Sequence, residues 1–334
     1  MFLFKIYRRN KHVLNKTSKQ VFSKYHRRSY STSDDLLISM AKGASITGCK
    51  TNEEMVDKVV KAGLLKNKRA INAMLEIDRK YFVNDASEDE NSRNNGNKYY
   101  YYENVPIKIG NEATISTPQF SAEVLELMSP KLNPGAKVLD IGCGSGYISA
   151  IFAVLVEKKG CVVSVDCFDK LIEDAKINIF DVVQNGVANG STSIGNIGTI
   201  ELHKQIFPGK KSQIGSSSSY DFFKCKQIVD NHHNDILYDC IYVAPCVDDA
   251  QLLVELNNLL KPSGRLVTPY YDVEKPSKGQ QLLCLDKIDS NVDANSNEEQ
   301  IWKSTQEVMA VLCQTLQVET TISQIIEDEK QQLE

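Results

Sequence analysis

No apolar run in this chain reaches the roughly twenty residues that span a bilayer, so no membrane partner is expected. The nine cysteines are odd in number and include no Cys-x-x-Cys pair, which argues against a disulfide framework and a zinc site and fits a reducing compartment. No metal is expected. The net charge of -4 leaves no broad basic surface, and with it no electrostatic footprint for nucleic acid. The one strongly one-signed stretch is residues 1–33, which contain no Asp or Glu but carry Arg8, Arg9, Lys11, Arg27 and Arg28 and end in hydroxyl residues. That composition is the one mitochondrial presequences share, with Arg28-Ser29-Tyr30-Ser31 resembling a processing site; the alternative is a disordered basic tail on a cytoplasmic protein.

The whole chain, 334 residues with 42% apolar content, suffices for one large globular domain or one domain plus extensions. Its organising stretch is Lys137-Val-Leu-Asp-Ile-Gly-Cys-Gly-Ser-Gly-Tyr147. Val138, Leu139 and Ile141 read as a buried strand, and the apolar run from Tyr147 through Leu155 as a helix; Gly142, Gly144 and Gly146 turn one into the other. Without Cβ atoms, such a turn lets a flat nucleoside approach the backbone and the free amides of the helix N-terminus. The spacing is Gly-x-Gly-x-Gly, not the Gly-x-Gly-x-x-Gly of dinucleotide oxidoreductases. A second strand, Cys161 to Asp166, ends in a carboxylate about twenty residues further on, where a ribose would be held. Asp140 before the glycines and Asp166 after the next strand complete the pattern of an S-adenosylmethionine site. Taken alone, the glycines could equally form a helix-entry turn, and Cys143 among them reads as a small tolerated residue, with no histidine nearby to activate it.

Ahead of this lie a helix from Thr51 stopped near Gly63 and a second capped by Asn67. A polar stretch from Asn84 to Lys98 reads as a loop, and Tyr99 to Tyr102 as a packing or interface element. After the second strand come a third at Thr199–Leu202 and a flexible insertion through Ser219. Beyond it are expected a strand at 240–243, a helix from Leu252 to Leu260 closed by Pro262 and Gly264, and a strand at 265–268. Strands at 281–285 and 308–312 and a charged helical tail at 319–334 close the chain. Alternation of strand and helix predicts an α/β fold, a mainly parallel sheet covered on both faces.

Asn52-Glu-Glu, Ile77-Asp-Arg-Lys-Tyr-Phe82, Ile109-Gly-Asn-Glu-Ala-Thr-Ile-Ser116, Leu125-Glu-Leu and the glycine stretch occur in an order that resembles the protein-L-isoaspartate (D-aspartate) O-methyltransferase family. Ala113-Thr-Ile-Ser116 is the discriminating element. The resemblance implies a Rossmann-like S-adenosylmethionine-dependent methyltransferase fold over 50–318. Its N-terminal helical substrate-binding segment is 50–130, with low-complexity insertions near 84–98 and 208–220. It further implies S-adenosyl-L-methionine as methyl donor, isoaspartyl-containing proteins and peptides as substrates, and a monomer. Ser116 is implied as the catalytic residue, although by itself its hydroxyl reads as a turn or N-cap group ahead of Pro118. The cofactor is assigned to Ala113, Thr114, Ile115, Ser116, Asp140, Gly142, Cys143, Gly144, Ser145, Gly146, Asp166 and Cys167. Two departures stand out: Pro118-Gln119-Phe120-Ser121 replaces the histidines many members carry there, and no Gly-Asp-Gly element follows the third strand. An adaptor that keeps the fold without catalysing transfer, and methylation of another carboxylate, are the competing readings.

Overall fold

The computed structural model describes residues 33–83, 99–204, 237–248, 250–272, 280–287 and 302–308. The chain enters through helices α1 (Ser33–Ala44), α2 (Asn52–Lys61) and α3 (Lys68–Glu76). The Thr51 hydroxyl accepts from the Glu54 amide and the Asn67 side chain accepts from the Arg69 and Ala70 amides, so both expected N-termini are capped. The face of α2 bearing Met55, Val56 and Val59 is buried, each side chain contributing about 1.5–3 kcal/mol if fully removed from water. An acidic residue at Val59 would break that packing. Single 3-10 turns follow at Arg79–Phe82 and Tyr100–Tyr102, with Tyr101 and Tyr102 packed edge to face. A small antiparallel hairpin, β1 (Ile107–Gly110) and β2 (Ala113–Ile115), turns through Asn111 and Glu112, both at positive φ as a two-residue turn with the twist of its strands requires. Helix α4 (Pro118–Met128) follows.

The remainder builds one sheet: β3 (Lys137–Ile141), α5 (Tyr147–Val156), β4 (Cys161–Asp166), α6 (Asp169–Ala188), β5 (Thr199–Lys204), β6 (Tyr238–Val243), α7 (Ala250–Asn258), β7 (Leu260–Tyr271), β8 (Gln280–Lys287) and β9 (Trp302–Val308). The strand order is β5-β4-β3-β6-β7-β8-β9. The first five strands in that order run parallel, while β8 and β9 are antiparallel additions. Alternate residues of the central strands fall into two cores. Val138, Cys240, Tyr242 and Val267 join the N-terminal helices and α5, while Leu139, Ile141, Ile241, Val243 and Leu266 pack with Leu253 and Leu256 of α7. Burial on both faces is why these strands read as continuous apolar runs. The expected mainly parallel sheet with helices on both faces is thus the observed one. Because the chain builds β4 and β5 on one side of β3 and then crosses to β6 on the other, the strand order reverses at β3, and the crevice beyond the C-terminal ends of β3 and β6 is where such sheets take ligands.

Three boundaries differ from the sequence expectation. Helix α7 ends at Asn258, and β7 already begins at Leu260, so Pro262 and Gly264 lie inside a strand. They are tolerated there because Lys261–Gly264 bulge out of the β6 ladder, with Tyr238 opposite Leu260 and Cys240 opposite Arg265 and Ser263 at φ +59°. A strand not expected from the sequence lies at 302–308, residues 309–312 of the strand expected at 308–312 fall outside the described residues, and α1 lies ahead of the expected start of structure. The basic segment 1–32, the loop 84–98, the insertion at 208–220 and the tail at 319–334 fall outside the described residues.

Candidate functional site

The glycine turn leaves β3 at its C-terminal end and enters α5. The Gly142 and Cys143 amides both donate to the Val165 carbonyl, at 2.8 and 3.1 Å, which ties the turn to the end of β4. Asp166, at the tip of β4, accepts from the Gly144 amide through Oδ2 at 3.0 Å and from the Phe168 amide through Oδ1 at 3.2 Å. Its carboxylate therefore braces the turn and the start of α6, and each oxygen keeps further lone-pair capacity for a ribose hydroxyl. Asn178 of α6, buried, donates to the Ser145 carbonyl at 3.1 Å. Gly146 holds φ +85° and supplies no side-chain cap, so no side chain competes for the first-turn amides of α5.

Asp140 is 1% exposed. Its Oδ2 accepts from the Ser149 hydroxyl at 2.5 Å while Oδ1 meets no partner among the described residues. Burial raises its pKa to about 7; the Ser149 hydrogen bond works against that rise and the nearby Asp166 charge adds to it. A buried carboxylate with one oxygen unspent, next to an uncapped helix N-terminus and a glycine cradle, fits a nucleoside that carries positive charge. Cys143 is buried within the turn, and burial with the charges of Asp140 and Asp166 pushes its thiol far above the ordinary range. It stays protonated and is no nucleophile.

The hairpin closes over this turn. Ile109 of β1 is buried against it: a Cβ built on Gly144 would lie 3.1 Å from Ile109 Cδ1. Ala113, Thr114 and Ile115 form the partner strand β2, with Ile115 opposite Ile107. Ser116 follows directly. Its hydroxyl is not the cap of α4: Thr117 takes that role, accepting from the Phe120 amide at 3.1 Å, and Ser116 bonds nothing among the described residues. The turn-or-cap alternative for Ser116 therefore falls to its neighbour. Cys167 opens the link from β4 to α6, with its thiol raised by burial.

The structure thus gathers Asp140, Gly142 to Gly146 and Asp166 into one connected turn, and sets the strand carrying Ala113–Ile115 on a hairpin that leans against it. Two participants had no signature in the sequence: Asn178, and Pro245, which follows β6 and would meet a Cβ on Gly142 at 2.6 Å; Ile109 lay within the motif stretch, but without a sign that it meets Gly144. Gln119, at the position where the resemblance leads one to expect a histidine, is taken up by the N-terminal helix and its own. Its Nε2 donates to Ser39 Oγ at 2.8 Å and to Glu123 Oε1 at 3.2 Å, and its Oε1 accepts from Asn104 Nδ2 at 3.2 Å. Asn104 in turn donates to the Gly43 carbonyl at 3.1 Å, so the pair holds α1 across the start of α4.

Comparison with known proteins agrees with this construction. The family model for protein-L-isoaspartate (D-aspartate) O-methyltransferase matches residues 50–198, and a general methyltransferase-domain model matches 132–330. Protein-L-isoaspartate O-methyltransferase 2 of Arabidopsis thaliana is 30% identical over 260 residues, covering 78% of this chain and 68% of its own. Its paralogue 1 is 28% identical over 247 residues, covering 73% and 84%. Among solved structures, a beta-aspartate methyltransferase from Plasmodium falciparum, in complex with S-adenosyl-L-homocysteine, superposes with a TM-score of 0.53 at 18% identity over 79% of this chain and 99% of that one. That likeness establishes the S-adenosylmethionine-dependent methyltransferase fold. With the family match running through the hairpin, the glycine turn and both acidic strand ends, the chain belongs to the protein-L-isoaspartate (D-aspartate) O-methyltransferase family.

Proposed function

We propose that this chain transfers the methyl group of S-adenosyl-L-methionine to the free carboxylate of isoaspartyl or D-aspartyl residues in damaged proteins, the step that initiates their repair. The observation that supports the reading is the hairpin carrying Ala113–Ile115, with Ser116 directly after it, packed through Ile109 onto the glycine turn. When bound, the cofactor supplies an electrophilic methyl on a sulfonium. The chain's own residues then have a task of position. A carboxylate is ionised at neutral pH and needs no general base, so the Ser116 hydroxyl has only to hold an oxygen in line. Ile109, buried against Gly144, gives the turn an apolar side that would help exclude water. Labelled-methyl transfer to an isoaspartyl peptide, with none to its aspartyl counterpart, is the expected result; cofactor binding without transfer would return the chain to an adaptor role.

Asp140 makes cofactor binding depend on pH. Its folded-state pKa, about 7, lies above its ordinary value of 3.8, so the cost of ionising it in the free protein grows as pH rises from about 4 to 7. A cationic ligand offsets that cost. The gain in melting temperature on adding S-adenosylmethionine is therefore larger at pH 8 than at pH 6, and Asp140→Asn flattens the difference. A gain that is equal at both pH values in the unaltered protein would remove Asp140 from the cofactor's surroundings.

We further propose that residues 1–33 are a mitochondrial address and that the enzyme acts as a monomer. The first rests on the acid-free, Arg/Lys-rich and Ser-rich composition, and a reporter fused to residues 1–40 that stays in the cytosol would refute it. Light scattering of the purified chain decides the second.

A further inference from the structure

Arg79 is fully buried, a setting arginine rarely occupies without a carboxylate, and among the described residues none pairs with it. Its Nε donates to the Tyr101 carbonyl at 2.9 Å and its backbone amide to Asn52 Oδ1 at 3.4 Å, while Nη1 and Nη2 reach no acceptor among those residues. What the cation does meet is a ring. The guanidinium carbon lies 5.6 Å from the centroid of Tyr147, and Phe82 touches the same ring edge-on at 5.4 Å between centroids. Tyr147 is the first residue of α5, directly after Gly146. Burial lowers the Arg79 pKa to about 10, which leaves it cationic at neutral pH, and burial keeps the Tyr147 phenol neutral, so a cation faces a neutral ring throughout the working range.

We propose that Arg79 is a positioning residue for the cofactor turn: through the Tyr147 ring it fixes the angle at which α5 leaves Gly146, and with it the aim of the uncapped first-turn amides. The inference rests on the cofactor reading above but not on the identity of the methyl acceptor. It also explains why a charge is kept here at all. An apolar side chain could fill the volume, but only a cation is drawn to the ring face and, through Nε, to the Tyr101 carbonyl at once.

The test is calorimetric titration of the full chain with S-adenosyl-L-homocysteine, which cannot react, together with hydrogen exchange of the free protein over 142–149. Arg79→Met and Tyr147→Leu are each expected to weaken binding about tenfold and to speed exchange over those amides. The double variant is expected to lose about the same tenfold, because both changes sever one connection. Arg79→Lys restores binding to within about threefold of the unaltered protein. Thermal melts establish that each variant is folded at the titration temperature; should Arg79→Met not fold, Tyr147→Leu with Arg79→Lys carries the test. Binding of Tyr147→Leu within twofold of the unaltered protein, or a double variant that loses the product of the two single effects, overturns the proposal. Affinity is read without a methyl acceptor, so absent transfer to isoaspartyl peptides would count against the function and leave this inference standing.

Discussion

Gly142→Ala lowers the affinity for S-adenosylmethionine by about 100-fold or more. Gly142 sits at φ +78°, where a side chain costs about 1–2 kcal/mol in backbone strain alone. Its added Cβ would also lie 2.6 Å from Pro245 Cδ and 2.9 Å from Cγ. A proline ring has no flexible end to swing aside, so either the turn or the segment after β6 must move, for a further cost of about 1–3 kcal/mol. The turn cannot move cheaply, because the Gly142 and Cys143 amides share the Val165 carbonyl and the Gly144 amide is held by Asp166. Displacing Gly142 therefore displaces the whole cradle. Gly63→Ala is the matched control: φ is +70°, yet nothing lies within 4 Å of the added atom, so it carries the strain without the collision and leaves binding intact. Calorimetric titration of both variants checks the pair, and a Gly142→Ala protein that binds as the original does would mean that the turn is not the cofactor's seat.

Ser116→Ala is expected to reduce kcat/KM for an isoaspartyl peptide by roughly 10- to 100-fold, the loss that accompanies removal of one hydrogen bond to a charged group, about 1.5–3 kcal/mol. Its melting temperature should hardly change, since the hydroxyl bonds nothing among the described residues and caps no helix. Thr117→Ala inverts the outcome. That hydroxyl caps α4, so its loss costs about 1 kcal/mol of stability while transfer stays within about threefold of the original. Two adjacent hydroxyls thus separate catalysis from folding. Steady-state rates and melting curves on the two variants read this directly; an unchanged rate in Ser116→Ala would withdraw the residue from the mechanism.

The core of the site was legible because its signals are local. Asp140, three glycines within five residues, and an acid at the end of the next strand impose strand, turn and helix whatever surrounds them. The helix after Thr51 announced itself through apolar spacing, and the next through the cap chemistry of Asn67. Long-range packing was not legible: no spacing rule links Ile109 to Gly144, Pro245 to Gly142, or Arg79 to Tyr147, because each contact depends on how separate segments meet. Pro262 and Gly264 misled for a definite reason. Both residue types break regular ladders, yet a bulge on β7 absorbs them, and a bulge depends on the neighbouring strand. Strand β9 escaped because Trp302-Lys-Ser-Thr-Gln-Glu-Val308 shows no apolar alternation; it is an outer strand, defined by its pairing with β8. Helix α1 escaped because the acid-free composition ends at Ser33, its first residue, and the following segment carries no family motif.

The amide of Gln119 is committed to the residues that precede the family motif. A shortened protein starting at Thr51, the natural cut if one trusts the region shared with relatives, would strip Ser39 and the Gly43 carbonyl from Gln119 and Asn104. Both amides would then hang at the mouth of α4, one turn from Ser116, with Glu123 newly wetted beside them. A histidine introduced at position 119 would have the same result by another route, since an imidazole offers two nitrogens where the amide reaches Ser39, Glu123 and Asn104 together. In this chain, an edit at position 119 would loosen the tie between α1 and the start of α4 before it touched the chemistry at Ser116.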